Sequence, residues 1–267
     1  MLSNITLGQY FPGDSAVHKL DPRYKILLTI LYIVVLFLTG GVITYAASAL
    51  FLLMVILVSG ISLKMVAKSV APIGILIAIT ALLNVFYTPG YVLWSWWIFK
   101  ITEEGLYSAA RMIVRIILLV AGSSILTYTT SPIALTDAIE QLLSPLKKIR
   151  VPVHEIAMMM SIALRFIPTL IEETEKIMNA QKARGADFES GNLIARVKAM
   201  IPLLIPLFIS AFRRADELAL AMECRCYNGG DGRTRLHTLR ASPKDHVIFF
   251  SCIILFAAIA VLGRMGW

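Results

Sequence analysis

Charged residues are scarce in this sequence, and their scarcity excludes an ordinary soluble domain. Asp, Glu, Lys and Arg make up 16% of the 267 residues, whereas hydrophobic residues make up 58% and the mean hydropathy is +0.76. A typical soluble domain is about 25% charged and about 45–50% apolar. The composition therefore predicts a membrane protein.

Residues that bind metals and nucleotides are also few or unsuitably spaced. The three cysteines, Cys224, Cys226 and Cys252, form no C-x-x-C pair, and the four histidines form no H-E-x-x-H pattern. The phosphate-binding pattern G-x-x-x-x-G-K-[ST] does not occur in the sequence. We therefore expect no metal site and no cofactor bound by this chain, so any ATP hydrolysis belongs to a partner protein.

Long hydrophobic runs, in contrast, are abundant. Five windows approach the roughly 20 apolar residues that cross a hydrocarbon core about 30 Å thick: residues 25–39, 42–60, 70–87, 106–127 and 245–262. No small-residue cleavage site follows the first window, so we expect it to remain in the mature protein. The sequence predicts an all-α membrane protein with about five transmembrane helices.

The distribution of positive charge predicts the orientation, because lysine and arginine concentrate on the cytoplasmic side. With five spans, the amino terminus is then cytoplasmic and the carboxyl terminus external. The stretch 88–104 becomes external, with Trp94, Trp96 and Trp97 at the interface. Arg111 and Arg115, in the outer half of the fourth span, conflict with this pattern, and we expect them to face protein or to snorkel. The basic residues that define the cytoplasmic side are Lys19, Arg23, Lys25, Lys64, Lys68, Lys147, Lys148 and Arg150.

Proline and charge interrupt the apolar sequence between the fourth and fifth windows. Helical patterns run from 129 to 143, with Ser131 as the expected N-cap, from about 153 to 184, and from about 192 to 226. Arg165 makes a membrane span over 155–171 costly, which favours long helices at the cytoplasmic interface, although spans over 155–171 and 199–212 stay open. The predicted division is 1–130 for the first four spans, 131–243 for a cytoplasmic coupling domain, and 244–267 for the last span.

Two of these helical patterns end in similar sequences. In "NAQKARGADF" and "LAMECRCYNG", forty-one residues apart, an arginine stands between two small residues at the end of a helix, namely Arg184 and Arg225. An arginine in the last turn compensates the helix dipole by about 0.3–1 kcal/mol. Small neighbours would also let the helix end enter a groove on a partner, where the guanidinium could bind a carboxylate. Both interpretations are open on these residues alone.

Five separated segments resemble one known family. "GQYFPGDSAVHKLDPRYK" (8–25), "TTSP" (129–132), "LRFIPTL" (164–170), "AQKARG" (180–185) and "RRADELALAME" (213–223) are similar, in the same order, to the EcfT/CbiQ family. This family forms the transmembrane coupling subunit, or T component, of energy-coupling-factor (ECF) transporters. The resemblance covers nearly the whole chain.

The resemblance implies a non-catalytic scaffold in an ATP-driven importer of vitamins or other micronutrients in the prokaryotic cell membrane. Its partners would be two ABC-type ATPase subunits, which bind ATP and Mg²⁺, and a small substrate-binding S component in the membrane. By position, the family's X-Arg-X docking motifs correspond to Ala183-Arg184-Gly185 and Cys224-Arg225-Cys226, although the two cysteines depart from the usual Ala-Arg-Gly. Apolar side chains that could contact the S component are Met158, Met159, Met160, Ile201, Leu203 and Leu204.

Two other functions compete with this one. An intramembrane enzyme acting on a lipid or prenyl substrate could use Asp14, His18, Asp21 and Arg23 near the membrane edge. Capping and a turn at the membrane explain the same residues more simply. A secondary transporter would need polar residues within its spans and an inverted repeat, and the first two spans are almost free of ionisable groups.

Overall fold

Helices account for nearly all regular structure in the computed structural model, which describes residues 10–96, 99–186, 188, 192–229, 239 and 241–264. Short 3₁₀ helices at Ala71–Ile73 and Ser144–Ile149 join longer elements. The fold class predicted from the sequence, an all-α membrane protein, is confirmed. In chain order the α-helices are α1 (Ala16–Lys19), α2 (Pro22–Leu38), α3 (Val42–Ser59), α4 (Leu63–Val70), α5 (Gly74–Tyr87), α6 (Glu103–Thr129), α7 (Pro132–Leu143), α8 (Val153–Ala183), α9 (Leu193–Glu223) and α10 (Pro243–Arg264).

The chain divides into two compact units. One consists of Gly8–Ala138 together with Leu239–Trp267, and the other contains Ile139–Thr238. The first unit holds α1 to α6 and α10, while α8 and α9 lie in the second. The last helix of the chain thus returns to the unit formed by the first helices.

The core of the first unit lies where α2, α3, α6 and α10 meet. Leu36 and Phe256 are essentially inaccessible to solvent, and the ring of Tyr32 packs against those of Phe51 and Phe256. The helix α6 also packs against α4 and α5, so it contacts most helices of this unit. The apolar side chains on the outer faces of α3 and α5, such as Leu57 and Ile75, are largely exposed. Exposed apolar faces are expected where membrane helices contact lipid.

Five described helical segments are long and apolar enough to cross a membrane. They are Val42–Ser59, Leu63–Tyr87, Glu103–Thr129, Val153–Ala183 and Pro243–Arg264. Four of them coincide with predicted spans. The first predicted span, residues 25–39, falls on α2, whose 17 residues are one fewer than in the shortest of the five. The remaining segment, Val153–Ala183, is α8, for which an interfacial position stays a prediction.

Two short strands lie in the stretch for which the sequence predicted only an external connection. β1 (Val92–Trp96) and β2 (Phe99–Thr102) pair antiparallel, with Val92 opposite Thr102, Trp96 opposite Phe99, and an irregularity between Val92 and Trp94. The aromatic and β-branched residues in "VLWSW" and "FKIT" are the signal that could have predicted this hairpin. The predicted position of its tryptophans falls outside the described residues, which exclude Trp97 and the side chains of Trp94 and Trp96.

Local sequence explains several helix boundaries. The Ser131 hydroxyl accepts a hydrogen bond from the Ala134 amide at 3.3 Å, which confirms Ser131 as the N-cap of α7. Likewise, the Thr102 hydroxyl accepts from the Gly105 amide at 3.0 Å and begins α6. Glu103 and Glu104 then occupy the first turn of α6, where negative charge interacts favourably with the helix dipole.

Candidate docking site at two helix ends

The end of α8 forms a Schellman motif around Arg184. The Gly185 amide donates to the Lys182 carbonyl at 3.0 Å, and the Ala186 amide donates to the Gln181 carbonyl at 3.0 Å. These two bonds define the motif, which needs a residue in the left-handed region just after the helix. Gly185 supplies it with a φ of +89°, and glycine adopts this conformation without steric cost.

The end of α9 has the same hydrogen-bond pattern. The Cys226 amide donates to the Glu223 carbonyl at 2.9 Å, and the Tyr227 amide donates to the Met222 carbonyl at 3.0 Å. Cys226 is the left-handed residue, with a φ of +55°. Outside glycine this conformation is uncommon and costs roughly 1–2 kcal/mol. The sequence similarity between the two ends therefore corresponds to one shared backbone geometry.

The two arginines occupy equivalent positions in this geometry. Arg184 and Arg225 each come immediately before the left-handed residue, and both are exposed. Their neighbours Ala183, Gly185, Cys224 and Cys226 are exposed as well. We call 183–185 the first tip and 224–226 the second tip. Each tip presents a guanidinium flanked by small side chains.

Capping physics explains part of this arrangement. The helix dipole favours a cation at the last turn, and the left-handed backbone favours glycine at 185. Neither effect requires a small residue at 183 or 224, because an exposed helical position accepts almost any side chain. Neither favours cysteine over glycine at 226. The remaining property of these small residues is that they leave the guanidinium unobstructed, as close approach to a partner would require.

The helices α8 and α9 contact each other through a polar cluster of Glu173, Ser210 and Arg214. The Arg214 guanidinium donates to Oε2 of Glu173 at 2.8 Å, and the Ser210 hydroxyl hydrogen-bonds to the other carboxylate oxygen. Glu173 precedes Arg184 by eleven residues (184 − 173 = 11), and Arg214 precedes Arg225 by eleven (225 − 214 = 11). At 1.5 Å per residue, each tip therefore lies about 16 Å along its helix from the cluster.

Most of the predicted S-component contacts lie on accessible surface. Met159, Met160, Ile201 and Leu204 are exposed, and Met158 is half-buried. Leu203 differs, because only 6% of it is exposed and its side chain is buried within the chain. Phe208 and Phe212, which were not singled out from the sequence, extend the apolar surface of α9 and are both more than 60% exposed.

The residues of the competing enzyme hypothesis make turn and capping contacts. The Ser15 hydroxyl lies 2.7 Å from Nδ1 of His18, and Nε2 of His18 donates to the Phe11 carbonyl at 3.0 Å. Asp14 lies 3.5 Å from Lys19 in an exposed ion pair. Both ring nitrogens of His18 are thus occupied by a hydroxyl and a carbonyl, and among the described residues no carboxylate orients the ring in the way that a catalytic triad requires.

Asp21 and Arg23 form a local pair at the start of α2. The carboxylate of Asp21 accepts from the Arg23 amide at 2.9 Å and caps the helix, and it also lies 2.6 Å from the Arg23 guanidinium. Burial raises the pKa of the Asp21 carboxyl, but the hydrogen bonds and the charge of Arg23 outweigh it and hold this pKa below its usual range. The pair therefore stays ionised and stabilises the helix start.

Lys25 connects two of the segments that carry the family resemblance. Its ammonium group donates to the carbonyls of His18 and Thr129, both at 3.0 Å, and to the Thr130 hydroxyl at 3.3 Å. Only 6% of Lys25 is exposed. From the sequence we considered Lys25 only as a positive-inside charge, since nothing in its spacing relates residue 25 to residues 129 and 130. The contacts show that it fastens the amino-terminal segment to the end of α6.

Metal-binding groups are not assembled in the part of the chain that the structure describes. Within it, no three His, Cys, Asp or Glu side chains are placed to hold a metal ion. Cys224 and Cys226 are free and exposed, and Cys252 is free and half-buried.

Comparisons with known proteins identify the family. The family model CbiQ, described as cobalt transport protein, matches residues 13–237. The "Energy-coupling factor transporter transmembrane protein EcfT" of Clostridium kluyveri is 54% identical, over 100% of this chain and 99% of its own length. The protein of the same name from Thermosediminibacter oceani is 52% identical, over 100% of this chain and 100% of its own length. The one from Lactococcus lactis subsp. cremoris is 47% identical, over 99% of this chain and 100% of its own length. The chain therefore belongs to the EcfT/CbiQ family, the transmembrane components of energy-coupling factor transporters, and is a non-catalytic membrane subunit of such a transporter.

Proposed function

We propose that this chain couples two ATPase subunits to a substrate-binding S component in an ATP-driven importer of vitamins or other micronutrients. The observation that carries the proposal is the shared geometry of the two tips. Two helix ends with the same Schellman motif each present an exposed arginine between small residues. Two equivalent tips suit a partner with two similar grooves, such as a pair of related ATPase subunits.

Each tip would bind by inserting its guanidinium between acidic groups of a groove. Arginine presents several donors in a planar fork, and bidentate bonds to a carboxylate are charge-assisted and directional. The small neighbours let the helix end approach closely. ATP and Mg²⁺ would be bound by the ATPase subunits, and this chain would receive only the movement of their grooves.

The contact between α8 and α9 would carry that movement away from the tips. Glu173 engages Ser210 and Arg214 with its two carboxylate oxygens, which links the helices at one place along their length. When the ATPase pair closes, the two tips would move together. The two helices, which contact each other about three turns from the tips, would rotate as stiff levers. The exposed apolar residues Met159, Ile201 and Leu204 would then repack against the S component.

The predicted topology is consistent with this role. The amino terminus and the tips would lie on the cytoplasmic side of a prokaryotic cell membrane, where the ATPases are, and the carboxyl terminus would be external. An interfacial position for α8 and α9 would place their apolar residues at the bilayer and their charged ends in the cytosol.

The experiment is affinity purification of the tagged full-length chain from its native host in mild detergent. Wild type should bring ATPase subunits, a small membrane protein and ATP hydrolysis activity. The double variant Arg184→Glu/Arg225→Glu should remain in the membrane but lose the ATPases, because each tip would then repel an acidic groove. A single change should lose less than the double change.

Lys176→Glu/Arg213→Glu is the matched control, since it reverses one exposed charge on each of the same helices away from the tips. This control should retain the ATPases. If the arginines only cap their helices, the tip variant also retains its ATPases, with a small loss of stability. That result, or a wild type that elutes alone, would refute the proposal.

A further inference from the structure

Arg111 and Arg115 lie one helical turn apart on α6, in a span that the membrane would surround. The Arg115 guanidinium donates to the Tyr45 hydroxyl at 2.6 and 2.9 Å and to the Thr39 carbonyl at 3.2 Å. Arg111 reaches the Gly40 carbonyl at 3.4 Å, and its guanidinium lies 4.5 Å from the centre of the Tyr107 ring. Both side chains therefore point toward the turn between α2 and α3.

The depth of these guanidinium groups in the bilayer follows from helix lengths. α2 has 17 residues and α3 has 18, so they rise about 25 and 27 Å. The hydrocarbon core is about 30 Å thick. The turn at Thr39–Gly41, at which α2 ends and α3 begins, thus lies near one boundary between hydrocarbon and headgroups. Arg111 and Arg115, which bond to its carbonyls, lie at the same depth.

Neither arginine has a countercharge among the residues that the structure describes. Among the described residues, the ion pairs within 4 Å involve neither Arg111 nor Arg115. The hydrogen-bond acceptors that they do contact are two carbonyls and a hydroxyl, which are all neutral. The carboxylates of Glu103 and Glu104 belong to the first turn of α6, eight and seven residues before Arg111, and Oε2 of Glu104 accepts from the Tyr91 amide.

Two half-buried cations without a carboxylate favour an anion beside them, because desolvated charges are costly unless paired. A guanidinium has five N–H donors. Within the described part of the chain, Arg111 makes one hydrogen bond, and the hydrogen bonds of Arg115 come from Nε and Nη2 only. Donors therefore remain for the oxygens of a phosphate, whose geometry suits bidentate binding by arginine.

We propose that Arg111 and Arg115 form a binding site for the phosphate of an anionic phospholipid, in the leaflet on the side of the α2–α3 turn. Lipid phosphates lie just beyond the hydrocarbon, at the depth of this turn. A zwitterionic lipid brings its own cation and would leave the two arginines undercompensated, so phosphatidylglycerol should be preferred to phosphatidylcholine. The site also gives a reason for two arginines on the side where the positive-inside rule expects few.

The test is native mass spectrometry of the full-length chain in detergent, titrated with phosphatidylglycerol or phosphatidylcholine. Wild type should retain phosphatidylglycerol about tenfold more strongly, as expected when charge-assisted bonds distinguish two ligands. Arg111→Gln/Arg115→Gln should abolish the preference. Arg111→Gln alone should weaken it while the bonds of Arg115 to Tyr45 and Thr39 preserve the fold.

The control is Lys64→Gln/Lys68→Gln, which removes two exposed charges, likewise one turn apart, from α4. It should keep the full preference for phosphatidylglycerol. The proposal is overturned if wild type shows no preference, or if the lysine variant loses as much as the arginine variants. It is also overturned if excess inorganic phosphate binds the lipid-free protein and displaces phosphatidylglycerol, because the ligand would then be a free anion. None of these results bears on ATPase docking.

Discussion

The guanidinium of Arg214 lies 2.8 Å from the carboxylate of Glu173, and the two residues are forty-one positions apart in the chain. The same spacing separates Arg184 from Arg225 (225 − 184 = 41). Residues at equivalent places in the two similar helices thus carry opposite charges and pair with each other. The pair lies equally far from the tip of each helix, so the segment from Glu173 to Arg184 is as long as the segment from Arg214 to Arg225.

We expect the Glu173–Arg214 pair to contribute little to the stability of the fold and more to the coupling of ATP hydrolysis to transport. The side chains are 22% and 36% exposed, and ion pairs of such accessibility contribute about 0.2–1 kcal/mol. Glu173→Gln and Arg214→Gln should each lower the free energy of unfolding by less than about 1 kcal/mol. The double variant should lose less than the sum of the two single changes, as measured by thermal unfolding in detergent.

The coupling effect can be measured in the purified complex as substrate transported per ATP hydrolysed. Glu173→Gln should lower this ratio, and the exchanged pair Glu173→Arg/Arg214→Glu should restore part of it. Glu172→Gln is the control, because Glu172 is an exposed neighbour on the same helix. Equal ratios for Glu172→Gln and Glu173→Gln would show that the pair has no role in coupling.

Much of this fold is readable from the sequence, because its strongest patterns are long. The helical patterns at about 153–184 and 192–226 correspond to α8 (Val153–Ala183) and α9 (Leu193–Glu223) within a few residues. Caps such as Ser131 follow from local chemistry that a sequence displays directly. The hairpin from Val92 to Thr102 was missed because its strands are short and lie in a connection with mixed charge.

The candidate site is readable only in part. The small-Arg-small sequences predict where the tips are. They do not predict that both tips form the same Schellman motif, because a cysteine at 226 does not indicate a positive φ. The pairing of Glu173 with Arg214 depends on how two helices pack, and no local rule predicts it. The contact of Lys25 with Thr129 joins residues 104 positions apart, which a single sequence cannot relate.

Replacing Cys226 with glycine should stabilise the second tip. Cysteine at a φ of +55° has a Cβ that crowds the backbone, whereas glycine does not. Cys226→Gly should therefore raise the free energy of unfolding by about 1 kcal/mol, with ATPase docking retained. Cys224→Gly is the control, because Cys224 has a φ of −60° in the helical region. It should be neutral or destabilising, and stabilisation by both changes would contradict the assignment.

The Asp21–Arg23 pair at the start of α2 should make the stability of the protein fall at acidic pH. The pKa of Asp21 is lower in the folded protein than its unfolded value of about 3.9, despite burial, because Arg23 stabilises the carboxylate. A depressed pKa contributes stability that is fully present above the unfolded pKa and is lost as pH falls through the folded pKa. At pH 7, Asp21→Asn should be less stable than wild type by about 0.2–1 kcal/mol, because asparagine can still cap the helix but loses the ion pair with Arg23.

This difference should shrink below about pH 4, where Asp21 takes up protons in the unfolded chain while the folded carboxylate is still ionised. Thermal unfolding of both proteins in detergent from pH 7 to pH 3 measures it. Asp14→Asn serves as the comparison, since Asp14 pairs with Lys19 on the open surface. A difference between Asp21→Asn and wild type that stays constant over the whole range would rule out the linkage.

Gly122 should tolerate no side chain, because α6 passes close to the ring of Tyr32 at this position. A Cβ at 122 would lie 2.7 Å from a ring carbon of Tyr32, and that ring is held between Phe51 and Phe256. Gly122→Ala should therefore lower the free energy of unfolding by about 1–3 kcal/mol, the usual effect of overpacking a core.

Gly74, the first residue of α5, is the matched control, because a Cβ there would meet nothing within 4 Å. Gly74→Ala should raise stability by about 0.5–1 kcal/mol, since alanine loses less conformational entropy than glycine in a helix. Combining Gly122→Ala with Tyr32→Leu should recover part of the loss, because the smaller side chain removes the ring that the new methyl group contacts. If thermal unfolding in detergent gave the same shift for Gly122→Ala and Gly74→Ala, the close packing of α6 on α2 would not be a constraint on this fold.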